Sequence, residues 1–313
     1  MTSKRIQNRI AESRHTLPIS IVIAIVIWYL AGLTTIPLYL SFATVIFSTF
    51  VMMEINNGNA LIKIYSRMVS SSFLLMLSAC VFLMPTLNVM VSTLSYVLFI
   101  LFFFHTSQEK QSPGKVFHAF LFLGITSIFF VQILFFVPFL WILMTLNLMA
   151  MSHRNFWASV IGLITPYWFT IPYWLLTEDF NTIVNHFTQI IEFQPLFQYK
   201  ELSVNQLVTF AFVVLATLIG IIHFLRKSYM DKIRTRMLYT IFIVLTMLIL
   251  IFMVLQTQHF DILLALLIVH VSPLIAHYLA LTRTRITNIS FIILIVMWIA
   301  LTAYNLWSFS PIF

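Results

Sequence analysis

Charge is what this chain has least of. Of 313 residues, 8% are Asp, Glu, Lys or Arg, against about 25% in a typical soluble domain. So few charges cannot cover the surface of a soluble globule of this size. A single cysteine, Cys80, excludes an intramolecular disulfide framework. Six glycines exclude a collagen repeat, and 32 phenylalanines exclude a polar disordered chain. Familiar catalytic signatures are missing too. There is no HExxH, no cysteine pair, no Walker loop and no G-x-S-x-G. No cofactor and no metal are therefore expected. Nucleic acid is not an expected partner, because no soluble region exists on which a basic patch could form.

What the chain has is apolar length, with 61% hydrophobic residues. A helix needs about 20 apolar residues to cross a hydrocarbon core of roughly 30 Å, and backbone groups in lipid must pair within the segment. The expected fold is all-α, a polytopic transmembrane helical bundle forming one integral membrane domain over residues 1–313. About eleven spans (ten to twelve) fit the length. They fall near 17–33, 36–53, 69–87, 88–105, 116–134, 136–151, 157–176, 204–225, 237–256, 261–281 and 286–307.

The basic residues orient these spans. With the N-terminus cytoplasmic and strict alternation, all of the 17 Lys and Arg except Lys200 lie inside, and the C-terminus lies outside. This is the positive-inside pattern. It also decides residues 116–151, which must form a hairpin turning near Phe136 to Pro138. A single crossing would put RKSYMDKIRTR, residues 226–236, outside. The first sixteen residues are not expected to be a cleaved leader, since large residues follow the first apolar run. Residues 4–14, KRIQNRIAESR, read as a short cytoplasmic amphipathic helix lying on the membrane through Ile6 and Ile10.

Between spans, residues 177–203 form the longest outer segment. Phe180, Ile183, Val184, Phe187, Ile190 and Ile191 make a helical stripe, stopped before Pro195. This predicts an extracytoplasmic interfacial helix, either a structural lid or a roof over a cavity. In the second case Asp179, His186 and Glu192, with Glu178, are the candidate catalytic groups, because a His beside carboxylates can do acid–base work. Just before it, Pro-Tyr-Trp occurs twice in TPYWFTIPYW. The two prolines predict a broken helix. Tyr167, Trp168, Tyr173 and Trp174 read either as an aromatic belt or as a platform for a headgroup or sugar.

On the cytoplasmic side, Asn56, Asn57, Gly58 and Asn59 predict a turn and a cap for the next helix. Lys63, Arg67, Lys232, Arg234 and Arg236 are candidate anchors for lipid phosphate. Residues 63–68 and 232–237 echo one another, as a parallel duplication would require, although basic residues before an outward-going helix are expected anyway. Within the membrane no Lys, Arg, Asp or Glu lies mid-span. His270 and His277, seven residues apart on one face, are the candidate transport groups. Their bland role is hydrogen bonding between helices. Gln132 and Asn147 are candidates for a bond across their hairpin.

The segments EINNGNALIKIYSRM and SYMDKIRTRML, with the whole-chain layout, resemble an uncharacterised inner-membrane family of Bacteroides-like bacteria. The resemblance implies a bacterial cytoplasmic membrane and carries no assigned reaction. Three function classes remain open. The first is a structural or assembly component of a cell-envelope complex. The second is a transferase or flippase-like protein acting on lipid-linked sugars at the outer face. Peptidoglycan polymerases of the shape–elongation–division–sporulation class are similar in placing a large outer loop there, but no outer Arg is available here for pyrophosphate. The third is a small-solute transporter using His270. Expected partners are the lipid bilayer and, beyond it, other envelope membrane proteins or a lipid-linked glycan.

Overall fold

The computed structural model describes residues 5–32, 36–177, 180–193, 195 and 202–309. Thirteen α-helices are present among them, and no β-strand. They are α1 Ile6–Ala11, α2 Thr16–Leu30, α3 Ile36–Asn59, α4 Met68–Ala79, α5 Leu87–His105, α6 Pro113–Phe129 and α7 Val137–Leu146. There follow α8 His153–Thr177, α9 Phe180–Thr188, α10 Val204–Lys227, α11 Ile233–Leu255, α12 Phe260–Leu281 and α13 Arg285–Phe309. Seven helical segments are long and apolar enough to cross a membrane, and four shorter apolar ones accompany them: Thr16–Leu30, Met68–Ala79, Pro113–Phe129 and Val131–Leu146. By this composition the chain is a multi-pass membrane protein.

α12 is the axis. Its apolar window is wholly buried, and it packs on α4, α5, α10 and α11. α6 and α8 pair tightly at one side, where two glycines let the backbones meet. A Cβ at Gly162 would fall 2.6 Å from the carbonyl oxygen of Phe117, so close approach here requires glycine. α4 is short, 12 residues, and ends at Ala79. α13 completes it there: Asn305, itself fully buried, donates to the Ala79 carbonyl at 2.7 Å. That carbonyl has no intrahelical partner.

Hydrogen bonds gather the connections into two ends. At one, Gln108 N donates to Leu148 O (2.7 Å), Ser152 Oγ to Lys110 O (2.8 Å) and Arg234 to Asn59 Oδ1 (3.1 Å). At the other, Gln132 reaches Gln189 O (3.0 Å), and Gln258 reaches Glu192 O (3.2 Å). Residues 113–147 therefore leave one end and return to it. The hairpin breaks at Phe130, six residues before the expected turn, and continues as a 3-10 helix over Val131–Phe136. Gln132 consequently sits at the turn and Asn147 at the far end. They do not bond to each other: Asn147 donates to Met237 O at 3.3 Å.

Two further expectations are corrected. α8 runs unbroken through Pro166 and Pro172. The hydroxyls of Thr165 and Thr170 bond back to Ile161 O and Pro166 O, rather than to the carbonyls that the prolines leave unpaired. Residues Asn56–Asn59 are not a turn but the last turn of α3. Ala60 takes the left-handed conformation (φ 46°), and Leu61 N closes onto Asn56 O, a Schellman ending built without its usual glycine. The Asn56 side chain then holds Ser66 O and Ile62 N.

α1 forms as expected, but its buried face is polar. Gln7 Nε2 donates to Leu279 O (2.7 Å) and Thr282 Oγ1 (2.6 Å), and Asn8 to Thr282 O (2.9 Å). Ile6 is exposed. The unpaired C-terminal carbonyls of α12 decide this, because buried acceptors must be satisfied. Replacing Gln7 by Ala is expected to cost about 1–3 kcal/mol, read as a lower thermal unfolding midpoint of the detergent-solubilised protein.

Candidate functional site

The main polar cluster lies at the end where α10 gives way to α11. A 3-10 turn over Ser228–Met230 closes α10 and leaves Asp231 extended. Its side chain, 4% exposed, turns in between helices. Oδ2 lies 2.9 Å from His277 Nε2, and Oδ1 lies 3.8 Å from Lys63 Nζ. Burial by itself raises the Asp231 carboxyl. The His277 hydrogen bond, with the charges of His277, Lys63 and His223, more than offsets this and holds it below its ordinary value. Asp231 is thus a carboxylate at neutral pH and can only accept, so His277 Nε2 carries the proton.

That assignment frees His277 Nδ1. It is buried with no hydrogen-bond partner among the described residues, and so is His223 Nε2. The two imidazoles are neighbours, with ring centroids 5.4 Å apart, and Tyr239 lies 4.9 Å from His277. His223, His277 and Tyr278 wall a cavity of ≈ 580 Å³. Lys63, Arg226, Lys227 and Arg283 also line it, so four cations surround one carboxylate. Such a cavity concentrates anions. Phosphate oxygens could accept from these cations and from a His223 Nε2–H, whereas the single N–H of His277 is taken by Asp231.

Helical arithmetic explains the convergence. His223 and Arg226 share a face of α10, and His277 sits one turn from the end of α12. Asp231 is the sole acid in the basic run 226–236. That lone acid was the available signal, and orientation arguments passed over it as one member of a charged loop. His223 carried no comparable mark.

The outer candidates are placed differently. Asp179 lies outside the described residues, as do Glu178, Lys200 and Glu201. α9 spans only Phe180–Thr188, with no buried residue. His186 meets no carboxylate among the described residues. Its Nε2 lies 3.2 Å from Tyr167 OH, which in turn lies 2.8 Å from Ser127 Oγ, and the Trp174 ring lies tilted against it, centroids 5.1 Å apart. Burial lowers the His186 pKa. Trp168 and Tyr173 point away, exposed, so the two Pro-Tyr-Trp motifs split between faces and form no single platform. Glu192 is exposed, and its carbonyl accepts from Gln258.

Beneath this segment is a polar cavity of ≈ 420 Å³, lined by Asn88, Gln132, Gln206, His259 and Asp261 among others, with no Lys or Arg. His270 lines neither of these two cavities. It is fully buried, bonded to Tyr96 OH at 2.8 Å. The anchor residues divide. Arg67 bonds Asn57 and Tyr65, Lys63 and Arg234 hold loops together, Lys232 is exposed, and Arg236 has a buried Nε. α4 starts after Arg67 but α11 after Lys232, so the two echoing segments begin their helices a turn apart.

The sequence matches no family model, and no curated protein or solved structure matches it. The site is therefore read from its own chemistry.

Because the folded Asp231 carboxyl is depressed, its stabilisation is complete above its unfolded value near 3.9 and is lost as pH falls through the lower folded value. Asp231→Asn is expected to lower stability at pH 7 by about 1.5–3 kcal/mol and to flatten the acid limb below about pH 4. Thermal unfolding across pH 2.5–7 (roughly the carboxylate range) measures both.

Proposed function

We propose that this chain is the binding component of a cell-envelope assembly in a bacterial cytoplasmic membrane, and that it takes a phosphate-bearing headgroup at its cytoplasmic end. On this reading residues 1–313 are one integral membrane domain. The seven long and four shorter helical segments each cross once, with α1 inside. The sorting of connections into two ends supports that count, and the basic residues support the orientation. The reading rests on one observation: the Asp231–His277 pair walls a cavity that also holds Lys63, Arg226, Lys227 and Arg283. The outer cavity has no cation to match.

Phosphate should raise the thermal midpoint of the purified protein relative to chloride at equal ionic strength. The Arg226→Gln, Lys227→Gln double variant should weaken this at least about tenfold in apparent affinity. A phosphate effect that is absent, or unchanged in the double variant, overturns the reading.

The amide-rich outer cavity favours a second reading, the handling of the sugar part of a lipid-linked glycan. Gln206 donates to Asp261 at 2.8 Å there. Cells carrying Gln206→Leu with Asn88→Leu would then lose surface glycan, and wild-type glycan in that strain would remove this reading.

A further inference from the structure

The cytoplasmic-end cavity has an apolar neighbour. A cavity of ≈ 440 Å³ lies between α1, α2, α4, α10, α12 and α13, lined mainly by side chains such as Ile23, Leu75, Phe212, Leu294 and Trp298. An apolar void of this size costs stability unless apolar matter fills it.

The two cavities adjoin along one seam. On α10 the lining passes from Ala216 in the apolar cavity to Ile219 in the cationic one. On α12 the two linings interleave, Ile275 and Leu279 on the apolar side and His277, Tyr278 and Leu281 on the cationic one, and on α13 the lining passes from Phe291 to Thr287. Each step is within about one helical turn. Residues 212, 216, 219, 223 and 226 of α10 follow one face, so one stripe of that helix changes from apolar to His and Arg as it passes from one cavity to the other. The Arg226 end of that stripe faces the cytoplasmic connections, and its Phe212 end lies about 20 Å deeper along the helix.

We propose that these are the head and tail subsites of one amphiphile site, taking a lipid phosphate. The phosphate sits among Arg226, Lys227 and Lys63, and one acyl tail lies in the slot that ends at Trp298. This rests on the headgroup reading above and adds the ligand's second half. Phosphate alone could come from a free anion, whereas the slot requires a tail. Arg9, at the mouth of the apolar cavity, is a rival seat for the head, and the experiment separates the two.

The full chain in nanodiscs is titrated with phosphatidic acid whose acyl chains are brominated near their middle, and Trp298 fluorescence is read as the difference between wild type and Trp298→Phe. Brominated phosphatidylcholine is the control. Expected is saturable quenching of Trp298 with about tenfold higher apparent affinity for the phosphatidic acid. Arg226→Gln with Lys227→Gln should weaken it, and Ala216→Phe, which fills the slot, should reduce it. Equal quenching by phosphatidylcholine makes the slot a site for bulk lipid and overturns the proposal. So does loss of quenching in Arg9→Gln but not in the Arg226, Lys227 variant. The phosphate-induced thermal shift is measured in parallel. Its persistence without Trp298 quenching removes the tail subsite and leaves the headgroup reading standing, whereas its absence removes both. Retention of that shift in Ala216→Phe shows that the variant is folded.

Discussion

A helix that shows no face to lipid must be packed on every side, and α12 is packed by α4, α5, α10 and α11, with α1 across its C-terminal carbonyls. In hydrocarbon this packing gains little from the hydrophobic effect between helices, since lipid tails are as apolar as leucine. Close backbone approach and buried hydrogen bonds have to hold it. Both are present: α10 passes α12 with Gly220 against Leu274, and His270 and His277 of α12 bond to Tyr96 and Asp231. α8 and α13, by contrast, bury little of themselves, as expected of helices that face lipid.

The same axis explains where polar chemistry can sit. His270 lies mid-helix with Tyr96 against it and no cavity beside it, so it serves as a tie between α5 and α12. His277 lies two turns further, where α10 and α11 part around the Asp231 turn. There the bundle loosens enough to admit a cavity yet keeps the carboxylate buried. A charge drawn in from the surface like this persists because it is hydrogen-bonded and lies near a cation. The imidazole it orients, and the His223 ring beside it, have nitrogens without a hydrogen-bond partner among the described residues. Charge balance points the same way, because the cations that line this cavity have no counterpart in the outer one.

Much of the architecture was legible in the residues. Apolar runs separated by short polar connections marked all eleven apolar helical segments, and the basic residues marked one end of the bundle. The hairpin at 113–147 followed from charge alignment, although its turn fell at Phe130, because a tight turn there needed only one residue to leave the helical region. Helix endings were less legible. Asn56 to Asn59 look like a turn by composition, yet Ala60 takes the left-handed position and the asparagines stay helical. Pro166 and Pro172 look like breaks, yet α8 runs through them, packed along one side on α6.

Of the Asp231–His277 site, the sequence singled out His277 and Lys63 but not their meeting with Asp231, His223 and Arg226. Composition and periodicity determined by themselves that this is a helical, multi-pass, membrane-embedded chain, because the solvation of backbone and charge in lipid admits few other outcomes. Tertiary structure alone decided which polar residues became a site. Lys63 and Asp231 lie in different connections, and His277 lies 46 residues beyond Asp231. Their meeting depends on how α4, α10, α11 and α12 pack, and helix packing is set by side-chain shape across the bundle, which no local pattern records.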